Sequence, residues 1–173
     1  MNFKLYCGDS MKRLIYILIV VSLVVMASGC TGDKWSSTKT YSGNGLTFTY
    51  PGTWSENASS PMNLSGASTI EAVGTSDEAF AVGTVSVGVS DDILQQAITQ
   101  TAQTYVSQGY TQKSITVDGV TATMITNPNL NAEGMYLSLV FWPKNSKLYY
   151  AAYGTKNNDT QTMEKLLGSL KAT

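Results

Sequence analysis

Gly45-Leu46-Thr47-Phe48-Thr49-Tyr50-Pro51-Gly52-Thr53-Trp54 decides how this chain folds. Leu46, Phe48 and Tyr50 alternate with threonines, the period-2 pattern of a strand with one face buried. Asn44-Gly45 before them is a turn dipeptide. Pro51 lacks an N–H and ends the strand, and Trp54 then folds back over one end of the sheet as a large apolar cover.

Downstream the pattern shifts between two periods. Ser55 to Ser68 is rich in Ser, Asn and Gly and reads as a surface loop. Ser68–Val73 and Ala79–Val89 read as strands about a Gly-Thr-Ser-Asp turn, with a bulge expected at Gly83 or Gly88. Ser90-Asp91-Asp92 opens a helix over Ser90–Gln108: a hydroxyl at the cap, two acids on the positive end of the dipole, and then Leu94, Ala97, Ile98, Thr101, Ala102 and Tyr105 at helical spacing. Gly109 stops it. Tyr110–Val117 and Val120–Asn127 form a hairpin around Asp118-Gly119. Met135–Trp142 and Lys147–Tyr153 form another, joined by Pro143-Lys-Asn-Ser. Asn158 or Asp159 then caps a closing helix over Asn158–Lys171, with Met163, Leu166, Leu167 and Leu170 as its buried stripe. Consecutive hairpins with segregated helices predict an α+β fold: a single antiparallel β-sheet with helices packed on its faces.

Upstream of this lies a different kind of sequence. Lys12 and Arg13 precede a thirteen-residue apolar run, Leu14 to Met26, and then the small residues Ala27, Ser28 and Gly29. That order is the n-region, h-region and cleavage site of a secretory signal over 11–29. The run falls short of the roughly 20 residues that span a bilayer. Cys30 directly after the small residues resembles a lipobox, with Ala27 where leucine is usual, so Cys30 is the expected lipidation site. Two lipid chains there would hold the protein on the outer face of the cytoplasmic membrane. Residues 1–10 fit none of this, and Met11 reads as the start of translation. Thr31 to Thr40 is polar and reads, with Cys30, as a tether (30–40) to a domain at 41–173.

Composition narrows the function. The whole chain carries 11 basic and 12 acidic residues; beyond Cys30 there are 8 and 11, a net of −3. No basic footprint for nucleic acid exists. There is no histidine, Arg13 is the only arginine, and no cysteine follows Cys30. Histidine triads, thiolate zinc sites and arginine clamps are therefore ruled out, and the remaining inventory favours binding over catalysis with no cofactor.

The Tyr50-Pro51…Trp54 box resembles the opening of PsbP-like domains. The layout from Tyr41 to the C-terminus is similar too: a mid-chain helix, a meander of four strands, and a closing helix after the aromatic strand Leu148–Tyr153. Short PsbP-related lipoproteins occur in methanogenic archaea, and the chain looks like one of these. The resemblance implies a PsbP-like α/β/α sandwich. The plant namesake is an extrinsic subunit that helps photosystem II hold calcium and chloride, and none of its functional residues carries over to this sequence.

Candidate sites follow from these readings. Asn57, Asn63 and Asn158 begin Asn-x-Ser/Thr sequons. Asp91 and Asp92 are candidates for a hard cation, against their role in complementing the dipole at the helix start. Tyr149 and Tyr153 fall on one face of their strand and Tyr150 on the other; one face covers the core, and packing under a helix accounts for the other ahead of an aromatic surface for a partner. The expectation is a non-enzymatic, membrane-tethered module with a protein or envelope partner. The alternative is an envelope glycan hydrolase, with Glu56, Glu71, Glu78 and Glu133 as the carboxylates from which its catalytic pair would come.

Overall fold

The computed structural model describes residues 33–62, 66–86 and 88–172. Ala27, Ser28, Gly29, Cys30 and Asn63 lie outside the described residues. Trp35 onward forms one compact unit.

In chain order its elements are β1 (Thr38–Gly43), β2 (Leu46–Pro51), β3 (Ser55–Glu56), β4 (Ser68–Gly74), β5 (Glu78–Ser86), α1 (Asp91–Ser107), β6 (Thr111–Val117), β7 (Val120–Thr126), β8 (Tyr136–Lys144), β9 (Lys147–Thr155), α2 (Thr160–Ser169) and β10 (Lys171–Ala172). The expected single sheet is wrong. Two sheets form: seven strands in the order β3-β4-β5-β9-β8-β7-β6, and three in the order β1-β2-β10, every pair antiparallel.

Helices lie on both faces of the large sheet, and the small sheet shares one face with α2. On one side Ile98 and Ala102 of α1 pack on Ile125, Leu139, Phe141, Tyr150 and Ala152. On the other, Leu46, Phe48 and Tyr50 of β2 and Met163, Leu166 and Leu167 of α2 pack on Val73, Phe80, Val140, Trp142, Tyr149 and Tyr153. Alternation along β9 therefore buries both of its faces, Tyr149 and Tyr153 under β2 and α2, Tyr150 under α1. No aromatic surface is left there for a partner.

The tether also needs correcting. Thr38–Thr40 belong to β1, which pairs with β2 from Thr38↔Pro51 to Gly43↔Leu46. Trp35 packs against the core, with Lys165 Nζ 5.3 Å from its ring centroid, and Gly52 N–H donates to Ser37 O at 2.8 Å. The closing helix stops at Ser169, because Leu170 turns to an extended conformation and leads into β10 rather than continuing to Lys171. Ser169 Oγ accepts the Thr49 N–H at 2.9 Å, so α2 and β10 together satisfy one edge of β2.

Three hairpins turn on residue pairs with positive φ: Asn44-Gly45, Asp118-Gly119 and Asn145-Ser146. This is the two-residue geometry whose twist matches paired strands. Pro143 lies inside β8 rather than in the turn. It is tolerated there because β7 pairs with β8 only from Ser138 to Phe141, so no ladder partner is waiting for its missing N–H. The bulge falls on β4, where Ile70 is the extra residue between Thr69↔Gly83 and Glu71↔Val82. Gly83 opposite it is needed because a Cβ there would sit 2.3 Å from Ser68 O and 2.5 Å from the Tyr150 hydroxyl.

At the hairpin end, Asp118 holds the two sheets together. Its carboxylate accepts from Lys144 Nζ and from Ala172 N–H at 2.9 Å, and Lys171 Nζ lies 3.5 Å away. Lys144 Nζ also donates to Ala172 O at 2.5 Å. Burial pushes the Asp118 carboxyl upward, but these donors outweigh it and hold the group below the usual carboxylate range.

Candidate functional site

The opposite end of the molecule carries the cleft. Here β2 runs out through Pro51, Trp54 stacks on Tyr153 (6.4 Å between centroids, 17° between planes), and the β4–β5 turn closes against β9. Tyr50, Pro51 and Trp54 are all buried, so the box forms the inner wall of this end rather than an exposed platform. Their polar atoms are met by acids. Trp54 Nε1–H donates to Glu78 Oε1 at 3.1 Å, and the Tyr153 hydroxyl donates to Glu78 Oε2 at 2.8 Å. The Tyr50 hydroxyl donates to Glu56 Oε1 at 2.6 Å. Burial, then the hydrogen bond to Glu56, push the Tyr50 hydroxyl up to about 12, and burial with Glu78 pushes Tyr153 higher still.

Outside that wall lies an open cleft of about 640 Å³, formed by three segments distant in sequence: Ser55–Pro61, the β4–β5 turn, and the loop before β8. Each flank is tied down by its backbone amides. In the loop, Asn131 Oδ1 accepts the Glu133 N–H at 3.1 Å and the Met135 N–H at 2.9 Å, while Asn131 N–H donates to Met135 O at 2.8 Å. Opposite, Asn57 N–H donates to Glu71 Oε1 at 3.2 Å and Ala58 N–H to Ala72 O at 3.0 Å. The flanks meet over Gly154, where a Cβ would lie 2.9 Å from Pro61 Cβ and 3.2 Å from Met135 Cε.

The four glutamates therefore separate. Glu56 and Glu133 line the cleft and are exposed. Glu78 is spent on Trp54 and Tyr153, and Glu71 on the Asn57 and Ala72 amides. Sequence reasoning missed Asn131 and Met135. Their only sequence signal is a polar stretch with a glycine at 134, which marks a turn but not what it faces.

Asp91 and Asp92 lie in the first turn of α1, where Asp91 Oδ1 accepts the Ser146 N–H at 2.7 Å. The Ser90 side chain makes no cap bond; the carboxylate instead ties the helix start to the β8–β9 turn. Among the described residues no group of three or more acids, histidines or cysteines is placed to hold a metal, and no helix is long and apolar enough to cross a membrane. Asn57 and Asn158 are exposed with φ of 57° and 47°, and Asp159 caps α2 by accepting the Thr162 N–H at 3.1 Å.

No curated protein matches the sequence. Among solved structures, the chain is similar to PsbP of the cyanobacterium Synechocystis sp. PCC 6803 (CyanoP) at 16% identity, covering 84% of this chain and 98% of that one with a TM-score of 0.47. A Bacteroides thetaiotaomicron protein shares 12% identity over 78% of this chain and 48% of its own, with a TM-score of 0.51. At these identities the second likeness speaks for the fold alone. The model of the PsbP-like protein family matches residues 24–170, most of the chain, and so the protein belongs to the PsbP-like family.

Proposed function

We propose that this chain is a non-enzymatic PsbP-like binding module, anchored through a lipidated Cys30 to the outer face of the cytoplasmic membrane, where it engages a protein or envelope partner. The observation that carries the binding part is the cleft: an open hollow whose flanks are fixed by backbone amides donating to the Asn131 and Glu71 side chains. Preorganised loops of this kind suit recognition because little ordering entropy is lost on binding.

The anchor rests on the Lys12-Arg13…Ala27-Ser28-Gly29-Cys30 pattern. Its test is Cys30→Ser, which should move the protein from the membrane fraction to the medium or leave an unprocessed precursor. Salt-resistant membrane association of a processed mutant would remove the thioether anchor from the proposal. Asn57 and Asn158 are the sequons whose exposure suits glycosylation, and Asn57 stands on the rim of the cleft.

One observation favours the hydrolase alternative: Glu56 and Glu133 line the same cleft. Against it, glycoside hydrolysis needs one carboxyl in a desolvated setting to act as the acid, and both of these are exposed. Incubating purified protein with envelope glycan and measuring released reducing ends separates the two. Turnover lost in Glu133→Gln would refute the binding-module reading.

A further inference from the structure

The lining of the cleft narrows what it can receive, given the binding-module reading on which this step rests. Among its described lining residues the charged ones are Glu56 and Glu133, both negative, and no lysine joins them. An anionic ligand would find no counter-charge there. No aromatic ring lines it either, so a sugar would have no stacking platform. A hard metal ion wants six or more oxygen ligands, and no group of three metal-ligating side chains exists among the described residues.

What remains fits an organic cation with an apolar stem. Glu56 is set in place by the buried Tyr50, whose hydroxyl occupies Oε1 and leaves the other carboxylate oxygen for a ligand. Glu133 is presented by a loop that Asn131 closes on itself. Pro61 and Met135 line the same cleft, converge over Gly154 and supply apolar surface to it. Ammonium and guanidinium groups carry donors in every direction, and carboxylate acceptors match them in charge-assisted bonds. Their methylene stems lie along apolar surface while the head stays with the acids.

We propose that the cleft takes an alkyl-ammonium or alkyl-guanidinium group, the side chain of a lysine or arginine presented by a partner polypeptide, with its charged head on Glu56 and Glu133 and its stem against Pro61 and Met135.

The test is an amide chemical-shift titration of the full chain in micelles with three probes: capped Gly-Arg-Gly, its isosteric citrulline analogue, and spermidine. The arginine peptide should shift the Asn57, Ala58, Glu133 and Gly134 amides, and the neutral citrulline peptide should not. Glu56→Gln with Glu133→Gln should weaken binding by about tenfold or more, since charge-assisted bonds are lost. Glutamine at 56 still offers Tyr50 an acceptor, so the fold is preserved. Equal binding of the citrulline peptide, an unaffected double variant, or shifts confined to other surfaces would each overturn the inference while leaving a binding module in place. Spermidine binding more tightly than the peptide would overturn the polypeptide source. Cleavage of envelope glycan would instead refute the binding-module reading itself, whichever probe binds.

Discussion

Trp54→Ala should remove more stability than any other single truncation in the box. Trp54 is 1% exposed, stacks on Tyr153 and donates to Glu78. Burying a tryptophan withdraws roughly 150–250 Å² from water, and truncating it to alanine in a core costs about 3–5 kcal/mol including the cavity left behind. The lost hydrogen bond adds little, because Glu78 keeps the Tyr153 hydroxyl. Lys39 Nζ donates to the Trp54 carbonyl, a main-chain contact that survives the substitution. For a domain whose total stability is about 5–15 kcal/mol, this is a large fraction. Urea unfolding followed by far-ultraviolet circular dichroism reads it directly. Trp54→Phe, which keeps a ring against Tyr153 but no donor, should fall between the two, at about 1–3 kcal/mol. A loss below about 1 kcal/mol for the alanine variant would show that Trp54 is not packed as described.

Gly83→Ala should destabilise by about 2 kcal/mol or more, because the bulged β4 backbone and the Tyr150 ring leave no room. Gly168→Ala, in α2 with open space around it, should stabilise by about 0.5–1 kcal/mol, and thermal melts of the pair check both signs. Asp118 has its carboxyl held low in the folded state, so its contribution is present above the unfolded value near 4 and fades as pH falls through the lowered one; Asp118→Asn should flatten the acid limb of stability against pH. Tyr50 has its hydroxyl raised, so its contribution is present below about 10 and is lost as pH climbs through about 12; alkaline titration at 295 nm should lose that late phase in Tyr50→Phe.

The large sheet and both helices were legible wherever local chemistry and burial agree. Asp118-Gly119 between alternating apolar residues, the acids opening α1 and the leucine stripe of α2 each state one element. Of the small sheet only β2 was legible, for a physical reason. β1 is Thr-Lys-Thr-Tyr-Ser-Gly, largely exposed, and β10 is two residues long. Neither has an apolar period of its own; both exist because β2 offers unpaired backbone on each edge. The cleft was half legible. Its acids could be named from composition, but their sorting depends on which oxygens Tyr50, Trp54, Tyr153 and the Asn57 amide already occupy, and that is tertiary information. Three segments meet there, from β3, the β4–β5 turn and the stretch before β8, and no window of sequence spans them.

The fastening of Ser37 to Gly52 changes the mechanics of any membrane attachment. With Trp35 packed on the core and Ser37 bonded to Gly52, residues 35–40 belong to the folded body and not to a loose tether. Ser37 and Gly52 belong to the end where β2 runs out and Trp54 meets Tyr153, which is the end that holds the cleft. A pull on the chain at Trp35 is therefore delivered to the cleft end of the domain, not to the hairpin end.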